Sequence, residues 1–187
     1  MCGRAGPSSH PCHTGPMAPP TREWTVAGAV LERDDGLLLV CNRRRNGSLD
    51  WSTPGGVIDA TDASVLDGLA REVEEETGLV VREWAGPLYE VTMVALDLGW
   101  VMHCEVHRAL AFEGELRVDD PDGIVVDAAF FPAEEVHARL EACFHWVREP
   151  LAEWLGERWA PADRRGFRYD VRGTALDSLE VIRTPEP

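Results

Sequence analysis

A glycine turn that runs straight into an acidic helix restricts this chain more than any other stretch. Residues Thr53 to Leu79 read TPGGVIDATDASVLDGLAREVEEETGL. They predict a turn at Gly55-Gly56, a short acidic loop, and a helix starting near Ala63–Val65 with Asp62 or Ser64 as its N-cap. Gly78 suits the left-handed residue that ends such a helix. At 3.6 residues per turn, Glu72, Glu75 and Glu76 fall within an arc of roughly 100°. Leu66, Leu69 and Val73 occupy the adjoining arc as the buried stripe, while Asp67 and Glu74 face water. Three carboxylates therefore line the margin of a buried face, and like charges at this spacing repel. An acidic run on a helix is ordinarily a solvated surface. Oxygen-only donors so arranged also suit a hard cation, Mg²⁺ or Mn²⁺, which removes the repulsion.

The string from Gly56 through Arg71-Glu72-Val73-Glu74-Glu75-Glu76-Thr77-Gly78-Leu79 resembles the signature of the Nudix hydrolases, G-x5-E-x7-R-E-U-x-E-E-x-G-U, with U a bulky aliphatic residue. The second half matches at every fixed position, and Trp51-Ser52-Thr53-Pro54-Gly55-Gly56 resembles the usual lead-in. The first half departs: Asp62 stands where the family has Glu, and eight residues rather than seven separate it from Arg71. One extra loop residue accounts for the spacing, with Asp62 standing in for Glu.

The resemblance implies an α/β fold, a mixed β-sheet sandwiched between helices, here with a C-terminal helix and hairpin extension. It implies a hydrolase of acid anhydrides that splits a nucleoside diphosphate derivative, NDP-X, into NMP and P-X using metal-activated water. On that basis Glu72 and Glu76 are the expected direct Mg²⁺ (or Mn²⁺) ligands, with Glu75 sharing in binding. Arg71 holds a neighbouring carboxylate through a bidentate pair. Gly55 and Gly56 let backbone approach the substrate. Arg43, Arg44 and Arg45 are candidates for its phosphates, and Trp51, Trp84, Tyr89 and Trp100 for its base, although each aromatic is more often core. Asp127 is the candidate extra ligand or base. Two rival readings stand beside this one. A nucleotide-sensing module of the same fold usually has eroded motif glutamates, and these are intact. An isopentenyl-diphosphate isomerase-like enzyme has only Cys41 and Cys104 in its favour.

Composition narrows the partners. With 187 residues, 44% hydrophobic and 27% charged, the chain has the make-up of one globular domain with appendages. A net charge of −15 argues against nucleic acid or an anionic membrane as partner. It leaves room for a small-molecule diphosphate delivered with divalent cations, and for a homodimer. Cys2, Cys12, Cys41, Cys104 and Cys143 make an odd count without zinc spacing, which fits reduced thiols in a cytoplasm.

Residues 1–21 carry five prolines and no apolar period, so a disordered tail is expected there. The Nudix domain is expected over 22–160 and a hairpin extension over 161–187. Glu23–Glu32 and Gly36–Asn42 read as two strands joined by the turn Arg33-Asp34-Asp35-Gly36, the second central because Leu37–Val40 is apolar on both faces. Leu88–Leu96 and Trp100–Phe112 read as long strands, the latter with His103, Glu105 and His107 on one face. Glu113–Gly123 reads as a solvent-facing acidic loop, Ile124–Phe131 as a core strand and Ala133–Leu140 as a helix. Val147, Leu151, Trp154 and Leu155 predict a helix over about Phe144 to Trp159. Phe167–Val171 and Leu179–Ile182 read as a hairpin.

Overall fold

A computed structural model describes residues 22–34, 36–175 and 178–185; the expected tail at 1–21 and Asp35 of the expected turn lie outside them. The chain opens with β1 (Arg22–Val30), whose second half is wholly buried. β1 does not pair with the next long strand, β3 (Gly36–Arg43), as the turn signal suggested. At Leu31 the chain leaves the first sheet, and the two-residue β2 (Glu32–Arg33) makes the antiparallel step onto β3 instead. β3 is the centre of the second sheet, between β4 (Leu49–Ser52) and β8 (Val125–Phe131). Its unbroken apolar run serves both faces: Leu37 and Leu39 join one core cluster and Leu38 the other.

The first sheet is mixed. β5 (Gly55–Val57) lies antiparallel on the outer edge of β1, and β7 (Trp100–Glu113) runs parallel to β1 on its other side. β6 (Val80–Ala95) continues the order as one strand of 16 residues. The sequence reading recognised only its second half, from Leu88; Gly86-Pro87 just before it coincides with an irregularity in the β6–β7 register between Ala85 and Tyr89. The expected C-terminal hairpin forms as β9 (Arg165–Arg172) and β10 (Glu180–Thr184). It is no appendage: β9 lies parallel to β6, and Phe167, Tyr169 and Val171 are buried in the main core.

Helices cover both faces. On one, α1 (Val65–Thr77) sets Leu69 and Val73 against Ala27, Ala29, Leu31 and Leu38. On the other, α2 (Ala133–Arg139) and α3 (His145–Glu157) bury Val136, Trp146, Leu151 and Trp154 over Leu88, Val91 and Met93. Trp159 just beyond α3 donates its indole N–H to the Leu88 carbonyl at 2.7 Å, fixing that end of the helix to β6. Among the described residues no helix is long and apolar enough to cross a membrane.

Candidate active site

The site is built on α1, and the local sequence explains its limits. Ser64, in extended backbone, accepts the Asp67 N–H on its hydroxyl at 3.1 Å and caps the first turn. Gly78 takes φ 70° and donates to the Glu74 carbonyl at 2.8 Å, closing the last turn. Between these caps the amphipathic period places Glu72, Glu75 and Glu76 on the side of the helix facing β5.

Glu76 is 8% exposed, and its Oε2 accepts the Gly55 N–H at 2.8 Å. Burial pushes its carboxyl up to about 8, against the pull of that hydrogen bond, and the charges of Glu72, Asp120 and Glu75 push the same way. Glu72 lies over Gly56, where a Cβ would meet its Oε2 at 2.6 Å. Burial raises the Glu72 carboxyl too, opposed by Arg71. Arg71 is the internal cation of the site. Its Nη1 reaches Glu72 at 2.8 Å and Glu75 at 3.0 Å, while Nη2 reaches Asp62 at 3.0 Å.

Asp62 therefore does not cap the helix. Its Oδ2 also accepts the Asp59 N–H at 2.8 Å, and hydrogen bonding from Arg71 holds its carboxyl below the usual range. The longer loop folds back over α1 at Gly68, where a Cβ would stand 2.6 Å from Asp62 Oδ2. The shorter carboxylate thus reaches Arg71 because a glycine lies beneath it. Asp62→Asn keeps one acceptor oxygen and loses the charge, so kcat should fall by less than about tenfold in a turnover assay. A thousandfold loss would make Asp62 a metal ligand.

The donor set is all oxygen and carries more negative charge than Arg71 balances, which fits a hard divalent cation. Among the described residues no three His, Cys, Asp or Glu side chains already converge on one point. The reason is visible: Glu72 and Glu75 are drawn to Arg71, and Glu76 to Gly55. A cation here would compete with Arg71 for Glu72 and with a proton for Glu76.

Other expected residues fall elsewhere. Asp127 sits on β8 opposite Cys41, and its charge acts on that thiol. Successive strand residues face opposite ways, and Ala128 and Phe130 pack toward α1, so Asp127 is turned to the far face of the sheet. The acidic loop after β7 comes back to the end of α1. Arg117 N–H donates to the Thr77 carbonyl, tying the loop to the end of α1, and the charges of Asp120 and Asp122 act on Glu76 and Glu72. Asp122 is exposed, as expected of that loop, but both aspartates belong to the field of the site. Their proximity depends on a long-range return of the chain, which no local pattern announces.

Behind Gly55, on the face of the first sheet away from α1, lies a cavity of about 310 Å³. Its walls include Tyr89, Met93, Trp100, Met102, Phe144 and Trp146, and its polar end includes Asn42, Arg44 and Thr53. Of the three expected arginines, Arg44 alone lines it, gripped by Asp50 at 2.5 and 2.7 Å. Arg43 and Arg45 are exposed. Trp51 packs edge-on against Phe131 at 4.9 Å, and Trp84 against the α1 core. Tyr89 and Trp100 remain as aromatic walls. His103, Glu105 and His107 stand on the α1 face of the first sheet, with His107 buried and bonded to Glu105 at 2.9 Å.

A mixed-sheet α/β domain with a glycine turn packed on an Arg-Glu-x-x-Glu-Glu helix is the architecture of one protein family. The family model described as NUDIX domain matches residues 22–155, and the chain belongs to that family. A solved MutT NUDIX hydrolase from Burkholderia pseudomallei is 29% identical, with a TM-score of 0.57 over 70% of this chain and 97% of that one. The MutT protein of Bacillus halodurans, at 23% identity and TM-score 0.58 over 88% of this chain and 99% of that one, shares the fold. Nucleoside diphosphate-linked moiety X motif 6 of Xenopus laevis is 38% identical over 74 residues, 40% of this chain. The match spans 31% of the length of that curated relative.

Proposed function

We propose that the protein is a Mg²⁺-dependent hydrolase that cleaves the diphosphate linkage of a nucleoside diphosphate derivative, giving NMP and P-X. The observation that carries this reading is Glu76: a buried carboxylate, one turn from Glu72, that meets the Gly55 N–H and no cationic side chain among the described residues. The Gly55 N–H satisfies one oxygen, but a carboxylate buried beside two others without a cation of its own fits a site that takes up a divalent ion. Glu72, Glu75 and Glu76 would hold the ion, with Asp120 and Asp122 adding to the negative field. When bound, Mg²⁺ neutralises diphosphate charge and lowers the pKa of attacking water.

The chain's own groups set the geometry. Glu76 holds the Gly55 N–H, which fixes the turn against α1. Arg71 orients Glu72 and Glu75, and Asp62 anchors Arg71. Gly55 and Gly56 keep the edge of β5 free of side chains where a diphosphate must approach. Glu76 and Glu72 both have raised carboxyls, so either one, when ionised, is a stronger base than an ordinary carboxylate and is suited to take a proton from water.

The intact glutamates set this reading against a sensor that binds nucleotide without hydrolysis. Cys104 does line the cavity, but burial pushes its thiol up to about 12, and burial with the charges of Asp127 and Asp50 raises the Cys41 thiol as well, which disfavours the thiolate an isomerase-like reading needs. The deciding experiment is a turnover screen of nucleoside diphosphate derivatives with Mg²⁺ and with EDTA, identifying products. NMP formed only with Mg²⁺ supports the proposal; ligand binding without turnover points to a sensor.

A further inference from the structure

The carboxylates of α3 form a stripe that the hydrolase reading does not use. Glu149, Glu153 and Glu157 recur at every fourth residue, so they share one face of the helix. Each meets the C-terminal hairpin, which lies beyond the residues matched by the family model. The Tyr169 hydroxyl donates to Glu149 Oε2 at 3.0 Å, Arg183 pairs with Glu153, and Arg165 pairs with Glu157. The two arginine pairs are a third or more exposed and contribute little. Tyr169 is different. It is fully buried, and β9 sets it opposite Met93 of β6, a wall of the cavity.

What Glu149 fastens is the first turn of α3, and that turn is the weak end of the helix. Pro150 has no N–H, so the Trp146 carbonyl receives no helical hydrogen bond from it. Phe144, Trp146 and Val147, which line the cavity from above, all stand before this break. The turn keeps the Val147 and Arg148 N–H bonds to the Phe144 carbonyl, at 2.9 and 3.1 Å. Arg148 also reaches back to the Glu141 carbonyl at 3.0 Å. None of these polar contacts joins the roof to the sheet. Glu149 does, since it meets Tyr169 with one oxygen and His145 Nδ1, at 2.7 Å, with the other. His145 is the first residue of α3, so one carboxylate ties the whole turn to the strand beside the cavity wall.

The cavity and the carboxylates of α1 meet at Gly55, on the edge strand of the first sheet. Gly55 lines the cavity and gives its N–H to Glu76. Resting on the hydrolase reading above, we propose that Glu149 is a positioning residue through which the hairpin holds the α3 roof closed, and that this closure sets how tightly substrate is held. With the tie cut, the roof spends time open, and binding must include the cost of closing it. That cost falls on KM and leaves kcat alone.

Cys104 lines the cavity, whereas Cys41 is buried in the second sheet outside it. Iodoacetamide labelling of the full chain, located by peptide mapping, therefore reads the roof directly. Glu149→Ala should speed Cys104 labelling about tenfold and Tyr169→Phe about fivefold, with Cys41 at its wild-type rate. Glu149→Gln still offers Tyr169 an acceptor oxygen and should stay within about twofold of wild type. For the derivative found in the turnover screen, KM should rise by the same factors while kcat holds. An unchanged Cys104 rate, an equal rise at Cys41, or faster labelling with unchanged KM overturns the proposal. If no derivative is turned over, the hydrolase reading fails, and the labelling still decides whether Glu149 holds the roof.

Discussion

Glu76→Gln should lower kcat by about 10² to 10⁴-fold with no loss of thermal midpoint, because the lost group acts on charge that develops during reaction. Glutamine keeps the side-chain length, and its amide oxygen can still accept the Gly55 N–H. What disappears is the charge that the proposed cation site needs. The pH dependence of stability gives an independent reading of the same residue. The folded-state pKa of Glu76, about 8, lies above the ordinary 4.5, so the folded state holds a proton that the unfolded state releases. In metal-free protein that stabilising contribution is fully present below about pH 4.5 and is lost as pH rises through about 8. Glutamine does not titrate, so in EDTA the variant should gain stability relative to wild type across this window. Thermal midpoints from pH 4.5 to 8.5, with Mg²⁺-dependent and EDTA-quenched turnover, check both parts. Equal turnover by wild type and variant, with and without Mg²⁺, removes Glu76 from the catalytic site.

That residue was legible because the helix that carries it is fixed locally. Ser64, the apolar period of Leu69 and Val73, and Gly78 determine where α1 starts, which way it faces and where it stops, all within fifteen residues of chain. The strands were legible in existence but less so in partner. Leu37 to Val40 is apolar on both faces, so the run announces a central strand without saying which sheet it joins, and the switch at Leu31 leaves no mark of its own. Asp127 shows the same limit. Strand alternation fixed its parity, but deciding that Ala128 rather than Asp127 faces α1 needs the packing of the helix. Arg44 and Arg43 differ for a like reason, one turned to the cavity and the other to solvent. The cavity itself was beyond reach of pattern, since its roof is Phe144 and Trp146 from α3, some ninety residues past the glycine turn.

Gly55→Ala should cost both stability and activity, and Gly56→Ala activity alone; the contrast isolates what each glycine does. Gly55 has φ 136°, in the region that side-chain-bearing residues avoid. A Cβ there would stand 2.2 Å from the Ala27 carbonyl oxygen and 2.9 Å from the Gly28 Cα. Both are backbone atoms of the strand that β5 pairs with, so neither can move without breaking that pairing. Strain of this kind costs about 1–3 kcal/mol before the steric term. In a chain of this size each kcal/mol lowers the thermal midpoint by about 2–4 °C, so a fall of about 5–15 °C is expected. Activity should fall with it, since the turn that presents its N–H to Glu76 is displaced. Gly56 has an ordinary backbone, and its added Cβ meets the carboxylate end of Glu72 at 2.6 Å, a flexible tip that can swing aside. The fold should then hold within about 1 kcal/mol. Glu72, displaced from the position proposed for it at the cation, should take kcat down about 10²-fold or more. Differential scanning calorimetry and Mg²⁺-dependent turnover on the two variants decide between these roles. A stable, active Gly55→Ala would show that the β1–β5 edge is looser than the pairing of Ala27 and Gly28 requires.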